Sequence, residues 1–188
     1  MAFHVDYWNY LGWVDPLSDS RYTERQNQYA RVIFPRRTYT PQMIINGTRI
    51  IVGSDREQGW ALIQAALTHT PSCGVTLQSV WKPDTRQMET RFAVSSIPAD
   101  SLLHLVLVER EIVHPIKKGE NQGLVLTHDN VVRSWVSAPL PSSPRSTQGQ
   151  LMLPVPDDVS LPQTSVIGFV QNSQTFQILG ATQNDWSK

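Results

Sequence analysis

From residue 74 onward the chain has a single rhythm, in which short apolar runs are separated by turn signals and no helical spacing intervenes. "VTLQSVW" (75–81) and "RQMETRFAV" (86–94) flank Lys82-Pro83-Asp84-Thr85, a turn with proline at its favoured position. Met88, Thr90, Phe92 and Val94 alternate with Gln87, Glu89 and Arg91, which predicts one buried and one wet face. "LLHLVLVEREIV" (102–113) is almost continuously apolar and is expected at the centre of a sheet. Further strands are expected over 124–137, 148–153, 164–171 and 175–182, about seven in all, and "PLPSSPRSTQGQ" (139–150) reads as a long surface loop. Such a pattern folds as a sandwich-like module.

Before "THTPSCG" (68–74) strand and helix signals alternate, so the expected fold class is α+β. The expected domains are 1–70 and 74–188. "AFHVDYW" (2–8) reads as a strand, with Phe3, Val5 and Tyr7 on one face. Ser18, Asp19 and Ser20 compete to cap a helix whose stripe is Tyr22, Gln26, Tyr29 and Ile33. "PQMII" (41–45), Asn46-Gly47 and "RIIVG" (49–53) form a hairpin, because both central positions of a type I′ turn need positive φ. Ser54 and Glu57 have the spacing of a capping box, and Trp60, Ile63 and Leu67 should face a sheet.

Charge and cysteine usage narrow the function classes. Sixteen Lys and Arg balance sixteen Asp and Glu, and residues 1–70 hold seven against six. That argues against a nucleic-acid or anionic-membrane surface. No apolar run approaches a bilayer span, and the start has no signal-peptide pattern. Cys73 is the one cysteine, so this sequence forms no redox pair and no Cys-based zinc site. His4 and Asp6 are too few ligands for zinc, and neither a metal nor a cofactor is expected.

Four segments in order, "AFHVDYWNYLGWVDP", "RQNQYA", "YTPQMIINGTRIIVGSDR" and "KKGENQGLVLTHDNVVRSW", resemble the secreted, thioredoxin-like bacterial family of domain of unknown function 1223. The resemblance implies a thioredoxin-like first half and a periplasmic or secreted location. It also implies a cis Thr40-Pro41 loop that binds extended substrate backbone. Family members carry a further strand and a Cys-x-x-Cys helix start ahead of the segment matching Phe3, and this sequence shows neither. An intact form would then be thiol-disulfide oxidoreductase-like; the alternative is a non-enzymatic module for an extended peptide or an envelope protein. Strand edges left unpaired by the missing strand would invite self-association.

The candidate substrate-binding residues are Thr40, Pro41, His4, Asp6 and Trp8. A second candidate is the polar cluster of Glu120, Asn121, His128, Asn130 and Arg133, for which the plain alternative is a hairpin tip with "HDN" shaping a bend.

Overall fold

The computed structural model describes residues 1–33, 38–119, 122–141, 143 and 145–186. Its architecture is α+β and mostly β. The first half supplies helix α1 (Ser20–Val32), strands β1 (Gln42–Ile45) and β2 (Arg49–Val52), and helix α2 (Arg56–Leu67). Nine strands follow: β3 (Gly74–Lys82), β4 (Gln87–Ser95), β5 (Ser101–Glu109), β6 (Ile112–Pro115), β7 (Val125–His128), β8 (Val131–Pro139), β9 (Ser146–Pro154), β10 (Thr164–Asn172) and β11 (Ile178–Asp185). A three-stranded sheet β3-β4-β9 packs on a four-stranded sheet β11-β10-β5-β8, with β1-β2 and β6-β7 as separate hairpins.

The apolar run of β5 has a direct cause, because both of its faces are covered. Leu103, Leu105 and Leu107 point into the core between the two large sheets, with Met88, Leu153 and Val166. Val106 and Val108 point the other way, into a second core with Tyr22 of α1, Val132 and Phe169. Each such side chain contributes about 1.5–3 kcal/mol on burial. Helix α1 is therefore the third layer, and Tyr22 fixes it by donating its hydroxyl to the Val132 carbonyl at 3.2 Å.

Several sequence expectations need correction. Residues 2–8 do not form a strand: Ala2 and His4 make single bridges to Val131 and Ser18. The Asp6 N–H goes instead to Thr23 Oγ1 at 3.1 Å, and the chain turns into a short 3-10 segment at Asn9–Leu11. Alternation marks two faces, but beyond the single bridge from Ala2 to Val131 of β8 no strand among the described residues pairs with this segment to continue a ladder. The run 102–113 breaks at Arg110-Glu111, where Glu111 has φ 57, and 124–137 breaks at Asp129-Asn130, where Asn130 has φ 52. The surface loop expected over 139–150 is shorter, because β9 begins at Ser146.

The helices differ in detail too. Asp19 caps α1, accepting from the Arg21 N–H at 2.8 Å. Asp55, not Ser54, caps α2 by accepting from the Gln58 N–H at 3.0 Å, so the expected capping box is absent. Trp60 and Leu67 are 66% and 73% exposed and do not face a sheet. Two strands about 4.8 Å apart are too narrow to cover a wide helical stripe. The helix instead approaches through Gly59, where an added Cβ would lie 3.3 Å from Ile51 Cδ1.

Candidate functional site

A cleft of about 1080 Å³ opens where the first half meets the four-stranded sheet. Residues 1–5 and Trp8 border one side, and Thr40, Pro41, Gln42, Ile44, Asn46 and Gly47 border the other. Tyr22, Arg25, Gln26 and Tyr29 enter from α1; Ile167, Phe169, Ile178 and Ala181 come from β10 and β11. Gln42, Ile44 and Asn46 recur at every second position, so one face of β1 lines the cavity. The opposite face holds Met43, which lies under Gly59 of α2.

The cleft brings four candidate residues together: His4, Trp8, Thr40 and Pro41. The Trp8 indole N–H donates to Thr40 Oγ1 at 2.9 Å. The Thr40-Pro41 peptide is cis, and the Pro41 carbonyl accepts from the Gly53 N–H at 2.7 Å. Gln26 ties this loop to α1: its amide donates to the Tyr39 carbonyl at 2.9 Å and to Gln42 Oε1 at 3.1 Å, and its oxygen accepts from the Tyr7 hydroxyl at 3.0 Å. Thr40 itself is exposed, and its N–H and C=O make no hydrogen bond among the described residues.

His4 donates from Nδ1 to Asp15 Oδ2 at 2.6 Å, and its ring meets that of His128 edge-on at 5.0 Å. Burial acts to raise the Asp15 pKa, but the bonds from His4 and the Leu17 N–H outweigh it and hold the carboxylate below its ordinary range. Burial, then the neighbouring His4, lowers the His128 pKa. Asp6 lies outside the cleft lining and accepts from Thr23 Oγ1 at 2.5 Å, which steadies the start of α1.

Of the second cluster's described residues, none lines the cleft, although His128 meets His4 at its edge. Arg133 pairs with buried Glu109 and reaches Asp158 at 2.6 Å. Asn130 sits at the bend and gives its carbonyl to the Ala2 N–H at 2.8 Å. Glu120 and Asn121 lie outside the described residues. Among the described residues no group of three or more His, Cys, Asp or Glu side chains is placed to hold a metal ion. Among them, too, no helix is long and apolar enough to cross a membrane.

Sequence reasoning missed two residues, one in the cleft wall and one behind it. Arg25 lies three positions after Tyr22 and four before Tyr29, so it falls on the inward stripe, and it is only 6% exposed. Its charge reads as solvent-facing; its spacing was the signal. His104, the one polar residue inside the "LLHLVLV" run, is 4% exposed and stacks on Phe169 at 4.8 Å. The Trp135 indole can only donate, and it reaches His104 Nδ1 at 3.0 Å, so the ring proton sits on Nε2. That Nε2 is buried and makes no hydrogen bond among the described residues.

Burial, then the charge of Arg25, pushes the His104 pKa down from 6.5 to about 3. The folded protein keeps the ring neutral while the unfolded chain protonates it near pH 6.5. Between those values the unfolded state holds the extra proton, so stability is full above pH 6.5 and falls as pH drops, by up to about 1.4 kcal/mol per unit. Urea unfolding at pH 5 is expected to give a free energy about 2 kcal/mol below that at pH 7, with a smaller difference in His104→Gln. Equal stabilities at the two pH values would contradict a neutral buried His104.

Comparison with known proteins places this geometry in a family. A crystal structure of protein AGR_C_4864 from Agrobacterium tumefaciens is similar over 100% of this chain and 80% of that one, with a TM-score of 0.68 and 22% identity. A domain of the outer membrane lipoprotein Omp28 from Porphyromonas gingivalis covers 62% of this chain and 89% of its own at 10% identity, with a TM-score of 0.34, too low to imply a shared fold. No match is found among curated proteins. The family model described as "Protein of unknown function (DUF1223)" matches residues 1–171, and the chain belongs to that family.

Proposed function

We propose that this is a thioredoxin-like protein of the cell envelope, periplasmic or secreted, whose cleft binds an extended polypeptide segment. The observation that carries this reading is Thr40. Its hydroxyl is anchored by Trp8 at the border of the cleft, while its backbone donor and acceptor remain free among the described residues. Main-chain groups of this kind give affinity for an extended segment, and apolar pockets beside them select its side chains. Ile44, Ile167, Phe169 and Ile178 supply those apolar walls, with Gln26 and His4 as polar points among them.

In a thioredoxin-like oxidoreductase the same loop would face a Cys-x-x-Cys motif, and binding would serve thiol-disulfide exchange. Within this chain the loop binds and does not exchange. Cys73 packs against Gly180, burial raises its thiol pKa, and it does not line the cleft. A buried thiol held in its protonated form is a poor nucleophile.

A panel of end-capped ten-residue peptides without stable structure, titrated by calorimetry, tests the reading. Some members are expected to bind with a Kd of about micromolar order, and Trp8→Ala is expected to weaken them about tenfold without unfolding the protein. Trp8 is 45% exposed, so its loss removes the Thr40 anchor and not core packing. Failure of every peptide to bind at millimolar concentration would overturn the proposal.

A further inference from the structure

We propose that Arg25 is an anion subsite of the cleft and that the polypeptide bound there presents a carboxylate to it. The inference rests on the cleft reading above and adds the chemical class of its ligand. Arg25 lines the cavity yet is only 6% exposed, and no carboxylate lies within 4.0 Å of its guanidinium among the described residues. Among the described residues its one hydrogen bond runs from Nη2 to the Tyr29 hydroxyl at 3.2 Å. That hydroxyl also accepts from Gln171 Nε2 at 2.8 Å.

Aromatic rings hold the cation in place. The guanidinium carbon lies 5.2 Å from the Phe3 ring centre, 5.0 Å from Tyr29, 4.9 Å from Trp135 and 5.6 Å from Phe169. Ring faces attract a cation but do not neutralise it, and a buried guanidinium is ordinarily matched to a carboxylate or phosphate. Burial accordingly lowers its pKa, although an arginine stays charged. Among the described residues its Nε and Nη1 have no hydrogen-bond partner, and neither is one of the fully buried side-chain atoms left unpaired there, which are His104 Nε2 and Ser134 Oγ. The N–H groups of these two nitrogens are thus left for a ligand.

The other charged side chains of the lining leave the balance positive. Asp15 is already bonded to His4, and Lys118 stands at the border. A carboxylate suits the site because its two oxygens match the planar fork of the guanidinium. It can come from a peptide C-terminus or from an Asp or Glu side chain, and the test separates the two.

Two matched pairs of ten-residue peptides serve as probes. One pair ends in a free acid or an amide; the other is capped at both ends and carries an internal Glu or Gln. Calorimetry on the wild type is expected to show at least tenfold tighter binding for the acid of one pair, which identifies the source. The preference is expected to fall to about onefold in Arg25→Met and to persist in part in Arg25→Lys. Equal affinity within both pairs in the wild type overturns the inference and leaves the cleft reading standing. A preference that survives in Arg25→Met also overturns it, by assigning the anion to another cation. No binding by any probe overturns both readings. If Arg25→Met does not fold, the wild-type ratio and Arg25→Lys still decide.

Discussion

Arg133→Leu is expected to lower the unfolding free energy by about 3–5 kcal/mol, because it leaves a buried carboxylate without its cation. Arg133 and Glu109 have side chains 8% and 5% exposed and are bonded directly to each other. Glu109 also accepts from the Ser160 N–H at 2.7 Å, and Arg133 extends to Asp158, which is 72% exposed. The network joins the end of β5, the start of β8 and the segment leading into β10, adding side-chain bonds where Glu109 already pairs with Val131 and Thr164 in the sheet. Adding Glu109→Gln removes the stranded charge and keeps an acceptor for Ser160, so the double variant is expected to recover about 1–2 kcal/mol over Arg133→Leu. Urea unfolding of the two single variants and the double measures the coupling. A loss below about 1 kcal/mol in Arg133→Leu would mean that the pair behaves like a surface salt bridge.

Gly47→Ala carries the second large effect, at the cleft wall. The tip of the β1-β2 hairpin docks on the turn between β10 and β11, where the Ile178 N–H donates to the Asn46 carbonyl at 2.9 Å. A Cβ at Gly47 would lie 1.9 Å from the Phe176 carbonyl oxygen, and Gly47 has φ 70. Side-chain motion cannot relieve a clash with backbone, and the Phe176 carbonyl is itself held by Gln171 at 2.7 Å. Overpacking and the left-handed backbone together are expected to cost about 2–4 kcal/mol. The hairpin should also lift from the sheet, so peptide affinity falls with stability. An alanine variant of wild-type stability would show that the hairpin does not rest on this turn.

The parts legible in the sequence are those that local chemistry decides. Asn46 and Gly47 both take positive φ, at 47 and 70, as a type I′ turn requires. Met88 and Val94 face the core as their alternation implied, and the doubly covered β5 follows from its continuous apolar run. The cis Thr40-Pro41 peptide was legible only through family resemblance, since proline chemistry alone favours trans.

What sequence did not show depends on partners distant along the chain. The alternation of Phe3, Val5 and Tyr7 cannot say whether a strand lies alongside. The stripe of Trp60, Ile63 and Leu67 cannot reveal that only two strands lie beneath it. Arg133 looked like a binding residue because Glu109, 24 positions earlier, is its partner only in the fold. The cleft is harder still to foresee. Its walls come from residues 1–5, α1, β1, β10 and β11, which meet only when α1 lies on the four-stranded sheet.

Amide chemical-shift mapping with the tightest peptide of the panel tests the central claim most directly. Binding in the cleft predicts shifts at His4, the Trp8 indole, Thr40, Gln42, Ile44 and Ile178, with β3, β4 and β9 undisturbed. Shifts confined to the outer face of β3-β4-β9, with Thr40 and Trp8 unmoved, would contradict it.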